Sequence, residues 1–142
     1  MIGFEFIDVE IPGFNSEFFV WTINDLVVSE TFVLGEISVI FCDDDYLLNI
    51  NKTYLNHDYY TDIITFDYSD ESHLSGDVFI SLDRVKENAL KYNVSFLNEL
   101  SRVIYHGTLH LCGFKDKSEK DAFVMREKEN YYLEKFVSRE TN

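Results

Sequence analysis

Basic residues are nearly missing from the first eighty positions of this 142-residue chain, where sixteen Asp or Glu stand against Lys52 alone. The rest of the chain carries eleven Lys or Arg and ten acids, so the overall charge of -14 sits almost wholly in the first part. Such a surface repels polyanions, and a nucleic-acid substrate would have to approach the C-terminal half. Cysteine is equally scarce: Cys42 and Cys112 are too few for a disulfide framework and fit a reducing cytoplasm, each as a small packed residue. No apolar run approaches the ~18 residues that cross a bilayer. The start of the chain is acidic rather than basic, with Glu5, Asp8, Glu10 and Glu17, which is unlike a secretory leader. The expectation is a soluble, unprocessed, cytoplasmic protein with no membrane partner. No repeat, low-complexity tract or linker interrupts the chain, and its length and 46% hydrophobic content suit a single domain over residues 1–142.

Hydrophobic periodicity supplies the elements. Ile2, Phe4 and Phe6 alternate with Gly3 and Glu5 as in a half-buried strand, closed by Pro12 and Gly13. Ser16 can cap a helix to about Ser29, with Phe19, Ile23 and Leu26 inward. A strand at Ile37, Val39 and Phe41 runs into Asp43, Asp44 and Asp45, which read as the acidic first turn of a helix from about Asp44 to Tyr54 rather than as a metal cluster. Leu47, Ile50 and Tyr54 form its inner face. The polar and aromatic loop Leu55–Asp62, with His57 and Asp58 as possible substrate- or water-orienting groups, leads into strands over Ile63–Tyr68 and Asp77–Ser81. Three helices follow: Asp83–Tyr92 with Val85, Ala89 and Tyr92 inward; one capped by Ser95 and largely buried through Leu97, Leu100, Ile104, Leu109 and Leu111; and one opened by Ser118 and Asp121, with Ala122, Met125, Tyr132 and Phe136 inward. After Val137 a polar, frayed tail is expected. The order β α β α β β α α α predicts an α+β fold: a small mixed, mainly parallel four-stranded sheet packed with about five helices. Helical crossovers predict the first three strands to be parallel neighbours and the fourth antiparallel.

The chemistry concentrates in His106–Asp116, HGTLHLCGFKD. On a helix, His106 and His110 lie one turn apart on one face and can grip one metal ion. Gly113 supplies a left-handed helix stop, which lets the chain fold back so that Asp116 can approach from a third direction. Two nitrogens and one oxygen leave one tetrahedral position open, the arrangement of a catalytic rather than a structural zinc centre, with one Zn2+ per chain. Cys112 projects to the other side of the helix.

These residues carry a resemblance. His106, Gly107, Leu109, His110, Leu111, Gly113 and Phe114 match the signature of the YbeY family, metal-dependent endoribonucleases of bacterial ribosomal RNA maturation, which reads His-Gly-x-Leu-His-Leu-x-Gly-Tyr-Asp-His. Met125 and Glu129 resemble the methionine and glutamate of the family's next helix. Asp58, Thr61, Asp62, Ile63 and Phe66 resemble its Asp-x-x-Thr-Asp-Val-Leu-Ser-Phe segment, and Gly76, Asp77, Ile80 and Ser81 its Gly-Asp-Ile-x-Ile-Ser strand. Two positions depart: Asp116 stands where the family has a third histidine, and Leu55 where it commonly has an arginine that serves activity on RNA. A carboxylate is a legitimate zinc ligand, so the first change is compatible with the site.

The resemblance implies a single-strand-specific endoribonuclease in ribosomal RNA processing and ribosome quality control. Its partners would be ribosomal RNA and the small ribosomal subunit or its assembly factors. Lys115, Lys117 and Lys120, with Arg126 and Lys128 further along, are the cations available to meet RNA near the site. Two other readings stand beside it. A peptidase-like metallohydrolase would need an acid other than residue 107, which is glycine where His-Glu-x-x-His enzymes carry their general base; Asp58 or Glu129 would have to reach the water. A ribosome-associated metal-binding factor with little catalysis fits Leu55 and the acidic first half.

Overall fold

In the computed structural model, which describes residues 1–140 and side chains through residue 137, the chain runs β1 (Ile2–Phe6), α1 (Ser16–Ser29), β2 (Leu34–Cys42), α2 (Asp44–Leu55), β3 (Ile63–Asp67), β4 (Leu74–Ser81), α3 (Leu82–Lys91), α4 (Phe96–Leu111) and α5 (Glu119–Glu140). The four strands form one sheet in the order β1-β2-β4-β3. β1 pairs parallel with β2, β2 parallel with β4, and β3 antiparallel with β4. The fold is thus the expected α+β arrangement with a mainly parallel sheet, but the antiparallel strand is β3, not β4, and β3 is no neighbour of β2. The reason lies in the connection. A twelve-residue α2 spans about 18 Å at ~1.5 Å per residue. The extended segment from Asn56 to Asp62 can reach back about 23 Å at ~3.3 Å per residue. The chain therefore returns to the end of the sheet where β2 finished and enters β3 downward: Ile63 pairs with Ile80, one residue from the Cys42–Ser81 pair. Buried Asn51 holds this return, donating its amide to Tyr59 O at 2.9 Å, and the Ser81 amide donates to Asp62 O at 3.0 Å.

One face of the sheet carries the main core, where Ile37, Val39, Phe41, Val78 and Ile80 meet Phe19, Ile23 and Leu26 of α1 and Val103, Ile104 and Leu109 of α4. α2 covers part of the other face with Leu47 and Ile50 against Cys42 and Ile64. The carboxylates of Asp43 and Asp44 cap and anchor this helix, with Asp45 also in its first turn: Asp43 accepts from the Tyr46 amide at 2.8 Å, and Asp44 accepts from Ser81 Oγ at 2.7 Å and Arg84 Nε at 3.1 Å. Several inward assignments shift. Tyr54, Tyr92 and Leu97 are exposed, as is Ala122, because each lies at the margin of its helix's apolar stripe. Asn15, not Ser16, caps α1. The tail expected to fray after Val137 remains helical to Glu140, and residues 141 and 142 lie outside the described residues.

α4 is the element that places the site. It ends in a Schellman turn, with Gly113 at φ 102°, the Gly113 amide on His110 O at 2.9 Å and the Phe114 amide on Leu109 O at 3.1 Å. Its middle presses on the sheet at Gly107: a methyl there would lie 2.7 Å from both Ile63 Cδ1 and Val78 Cγ1. α5 then crosses α4 and ties to α1, with Lys128 Nζ on Glu30 Oε2 at 2.9 Å, a hydrogen bond from Tyr132 OH to the same oxygen, and Trp21 edge-on to Phe136 at 5.2 Å.

The tight approach at Gly107 gives the first prediction. Gly107→Ala overpacks the helix–sheet contact and should destabilise the fold by about 1–3 kcal/mol, read as a lower denaturant midpoint at unchanged m-value. An unchanged midpoint would show that Ile63 and Val78 give way without cost.

Candidate metal centre

Arg102, His106 and His110 stand four residues apart on α4 and so line one edge of it, facing the turn that follows the helix. The Schellman turn at Gly113 brings Asp116 back over this edge. Its Oδ2 lies 3.2 Å from His106 Nε2 and 3.4 Å from His110 Nε2. The three predicted ligands therefore meet, with one donor atom from each falling within 4.8 Å of the others.

The outer nitrogens of both rings are already engaged. His106 Nδ1 lies 2.6 Å from Glu129 Oε2, and His110 Nδ1 lies 2.9 Å from Phe114 O. Each acceptor holds the proton on Nδ1 and leaves the Nε2 lone pair turned toward Asp116, the tautomer that a metal-binding imidazole requires. Glu129 is itself fixed, because its other oxygen accepts from Arg102 Nη1 at 2.8 Å, while Arg102 Nη2 donates to Asn130 Oδ1 at 2.9 Å. This donor set, two imidazoles and a half-exposed carboxylate with preset tautomers, fits a divalent ion such as zinc.

Electrostatics follow the same geometry. Burial lowers the His106 pKa, but its hydrogen bond with Glu129 and the charges of Glu129, Asp116 and Asp62 outweigh burial and leave it above the ordinary histidine value. His110 is pushed below that value by burial and by neighbouring His106. Burial raises Glu129, yet its hydrogen bonds with His106 and Arg102 bring it below the usual glutamate range. Asp62, half-buried at the foot of β3, is held above the usual carboxylate range chiefly by burial. Buried Glu99 is raised for the same reason.

Two hollows meet at this centre, and Asp62, His106 and Asp116 line both. One, of about 250 Å³, runs toward α3 and α5 past Asn88, Tyr92, Arg102 and Arg126. The other, of about 490 Å³, runs under the α2–β3 loop past Leu55, His57, Tyr59 and Lys117. Of the cations marked in the sequence, Lys117 and Arg126 reach this cleft, whereas Lys128 is taken up by Glu30. His57 lines the cleft with its ring stacked on Tyr59, but Asp58 turns to solvent and pairs with Lys52 at 3.4 Å. Cys112 stays outside the cluster, its thiol pushed up to about 12 by burial. The peptidase-like reading meets a steric obstacle: residue 107 faces Ile63 and Val78 rather than the cleft, so no carboxylate fits there. Glu129 has both oxygens committed to His106 and Arg102, and the Asp58 carboxylate is exposed and held by Lys52.

Arg102 escaped notice in the sequence, and Asp62 stood there only as part of the family-like segment, with no role at the centre. Arg102 continues the four-residue stripe of the two histidines and could have been found by extending that stripe one turn back. Spacing alone gave Asp62 no place at the centre, because only the return of the α2–β3 loop brings it beside His106.

Residues 14–137 match the family described as Endoribonuclease YbeY. A protein named Endoribonuclease YbeY from Azobacteroides pseudotrichonymphae is 52% identical over 132 residues, covering 93% of this chain and 95% of that protein. Another of the same name from Flavobacterium johnsoniae is 49% identical over 136 residues, covering 96% and 97%. The solution structure of TM1509 from Thermotoga maritima superposes with a TM-score of 0.68 at 29% identity, covering 98% of this chain and 91% of that one.

The His106–Glu129 pair makes metal-free stability depend on pH in a defined window. The raised His106 contributes stability that is fully present below its unfolded value near 6.5 and is lost as pH rises through the folded value. The lowered Glu129 contributes stability that is present above about 4.5 and is lost as pH falls through its folded value. In chelator-treated protein, the Tm deficit of Glu129→Gln relative to the parent should peak between these two pH values and shrink on both sides. A deficit constant from pH 4 to 8 would rule out this coupling.

Proposed function

The chain belongs to the endoribonuclease YbeY family, and on that premise we propose that it is a zinc-dependent endoribonuclease cutting single-stranded ribosomal RNA during maturation and quality control of the ribosome. His106, His110 and Asp116 hold one zinc ion. The observation that carries this reading is the convergence of both Nε2 atoms on Asp116 Oδ2 while both Nδ1 atoms are already bonded elsewhere. When bound, the ion supplies a positive charge that acidifies a water and polarises a phosphoryl oxygen.

The protein's own groups supply the rest. Glu129 and Phe114 O keep the two imidazoles in register, and Arg102 keeps Glu129 in place. Asp62 is the carboxylate best placed to take the proton of the attacking water: it borders both hollows at the centre, and its burial tunes it toward a stronger base than a solvated aspartate. Lys117 on one side and Arg126 on the other draw phosphates into a cleft whose surroundings are otherwise acidic. Leu55 lies in the wall of the cleft where relatives commonly have an arginine, so these two cations carry more of the attraction here. The small ribosomal subunit or its assembly factors would present the RNA in the cytoplasm, and the whole of residues 1–142 would act as one domain. Among the described residues no helix is long and apolar enough to cross a membrane.

The test pairs metal content with cleavage of a labelled single-stranded RNA and its duplex form. The parent should retain about one zinc per chain and cut the single strand. His110→Ala should lose both metal and activity. Asp62→Asn should keep the metal yet lose roughly 100-fold or more in kcat. Equal cleavage by the parent and His110→Ala would mark a contaminating nuclease and overturn the assignment, and full activity in Asp62→Asn would remove Asp62 from proton transfer.

A further inference from the structure

Away from the metal centre, β1 is an edge strand. The Ile37 amide donates to Met1 O, and the Ile7 amide donates to Phe41 O, each at 2.9 Å, so the backbones of odd-numbered residues face β2. In a parallel pair the alternate residues then direct their N–H and C=O groups outward, which gives Ile2, Phe4 and Phe6 to the open edge. Along that edge lies a hollow of about 670 Å³, walled by Phe4, Phe6, Val9, Ile11, Phe14 and Val20. Phe6 and Val20 are 40% and 39% exposed although both are large and apolar. A second hollow of about 370 Å³ shares Ile11, Gly13 and Phe14 with the first and extends to Phe96 and Leu97 at the start of α4. Two adjoining apolar hollows beside a strand edge that is unpaired among the described residues make a trough, and apolar patches of this kind mark interaction sites.

Charge narrows the occupant. Glu10 lines the trough, Glu5, Asp8 and Glu17 are exposed and adjoin its lining residues in sequence, and no Lys or Arg precedes Lys52 in the chain. RNA is repelled by such a rim. A second copy of β1 would bring Glu5 beside another acidic edge, and like charges on paired strands oppose association. We propose that this edge docks an extended cationic segment of a partner protein as a fifth strand. The two faces of β1 define the chemistry of that segment. Phe4 packs on the core side with Phe14 and Phe41, whereas Gly3 and Glu5 are exposed on the other face, with open space above Gly3. An added strand that alternates apolar and basic residues sets its apolar side chains into the trough and its basic ones beside Glu5.

The probe is a labelled nine-residue peptide alternating Val and Lys, compared with a Val–Glu counterpart and with a Val–Lys peptide whose alternate amides are N-methylated, titrated into the full chain by NMR and fluorescence anisotropy. The Val–Lys peptide should bind at least about tenfold more tightly than either control, with amide shifts confined to residues 2–20. The double variant Glu5→Lys, Glu10→Lys should weaken it at least about fivefold while keeping metal content and RNA cleavage at the parent level. Three results would overturn the proposal. These are equal binding of the acidic or N-methylated peptide, shifts centred on the His106 region, and concentration-dependent pairing of the chain through β1 that the Val–Lys peptide does not displace.

Discussion

Everything at the candidate centre depends on one steric fact, the contact of the α4 backbone with the sheet at Gly107. With Ile63 Cδ1 and Val78 Cγ1 where a methyl would stand 2.7 Å away, no other residue type lets the helix sit so close. Neighbouring His106 is set at the rim of the same contact, beside the first residues of β3, and His110 follows one turn on. The glycine thus has two effects through one geometry. It anchors the histidines on a rigid, buried helix, and it removes the position from which a peptidase would supply its base.

The polar network then runs outward in a single chain of hydrogen bonds, from Asn130 through Arg102 and Glu129 to His106. Each member satisfies the next, which is how a mostly buried glutamate can persist beside an imidazole. Residues from α4, α5 and the turn between them are fixed together, while Asp62 enters from the bend that leads into β3. The histidines, Arg102 and Glu129 stand on helices, whereas Asp116 and Asp62 lie on connections, the first pinned by the Schellman hydrogen bonds and the second by the Ser81 amide on its carbonyl.

Much of this was legible in the sequence, and the rest was hidden for identifiable reasons. The strand and helix order followed from periodicities of two and 3.6, and the His106–His110–Asp116 cluster followed from helix geometry plus a glycine stop. The antiparallel sense of β3 was not readable, because it depends on how far the Asn56–Asp62 segment reaches back, and sequence gives its length without its direction. The place of Asp62 at the centre, though the residue itself stood out in the family-like segment, was missed with it. Tyr54, Tyr92, Leu97 and Ala122 were assigned inward because apolar spacing does not say how wide a face is covered; Tyr92 and Ala122 border the cleft instead. The absence of basic residues before Lys52 marked an acidic surface, and in the structure Glu5, Asp8, Glu10 and Glu17 are exposed on and after β1.

The tie between α5 and the start of the chain has a temporal meaning. Glu129 belongs to a helix that reaches back to Glu30 and Trp21 of the first helical unit. A chain still being synthesised holds both histidines well before it holds Glu129, and until α5 docks nothing fixes the tautomer of His106. The full hydrogen-bonded arrangement of the centre therefore waits on α5, the last helix in the chain order of the described residues.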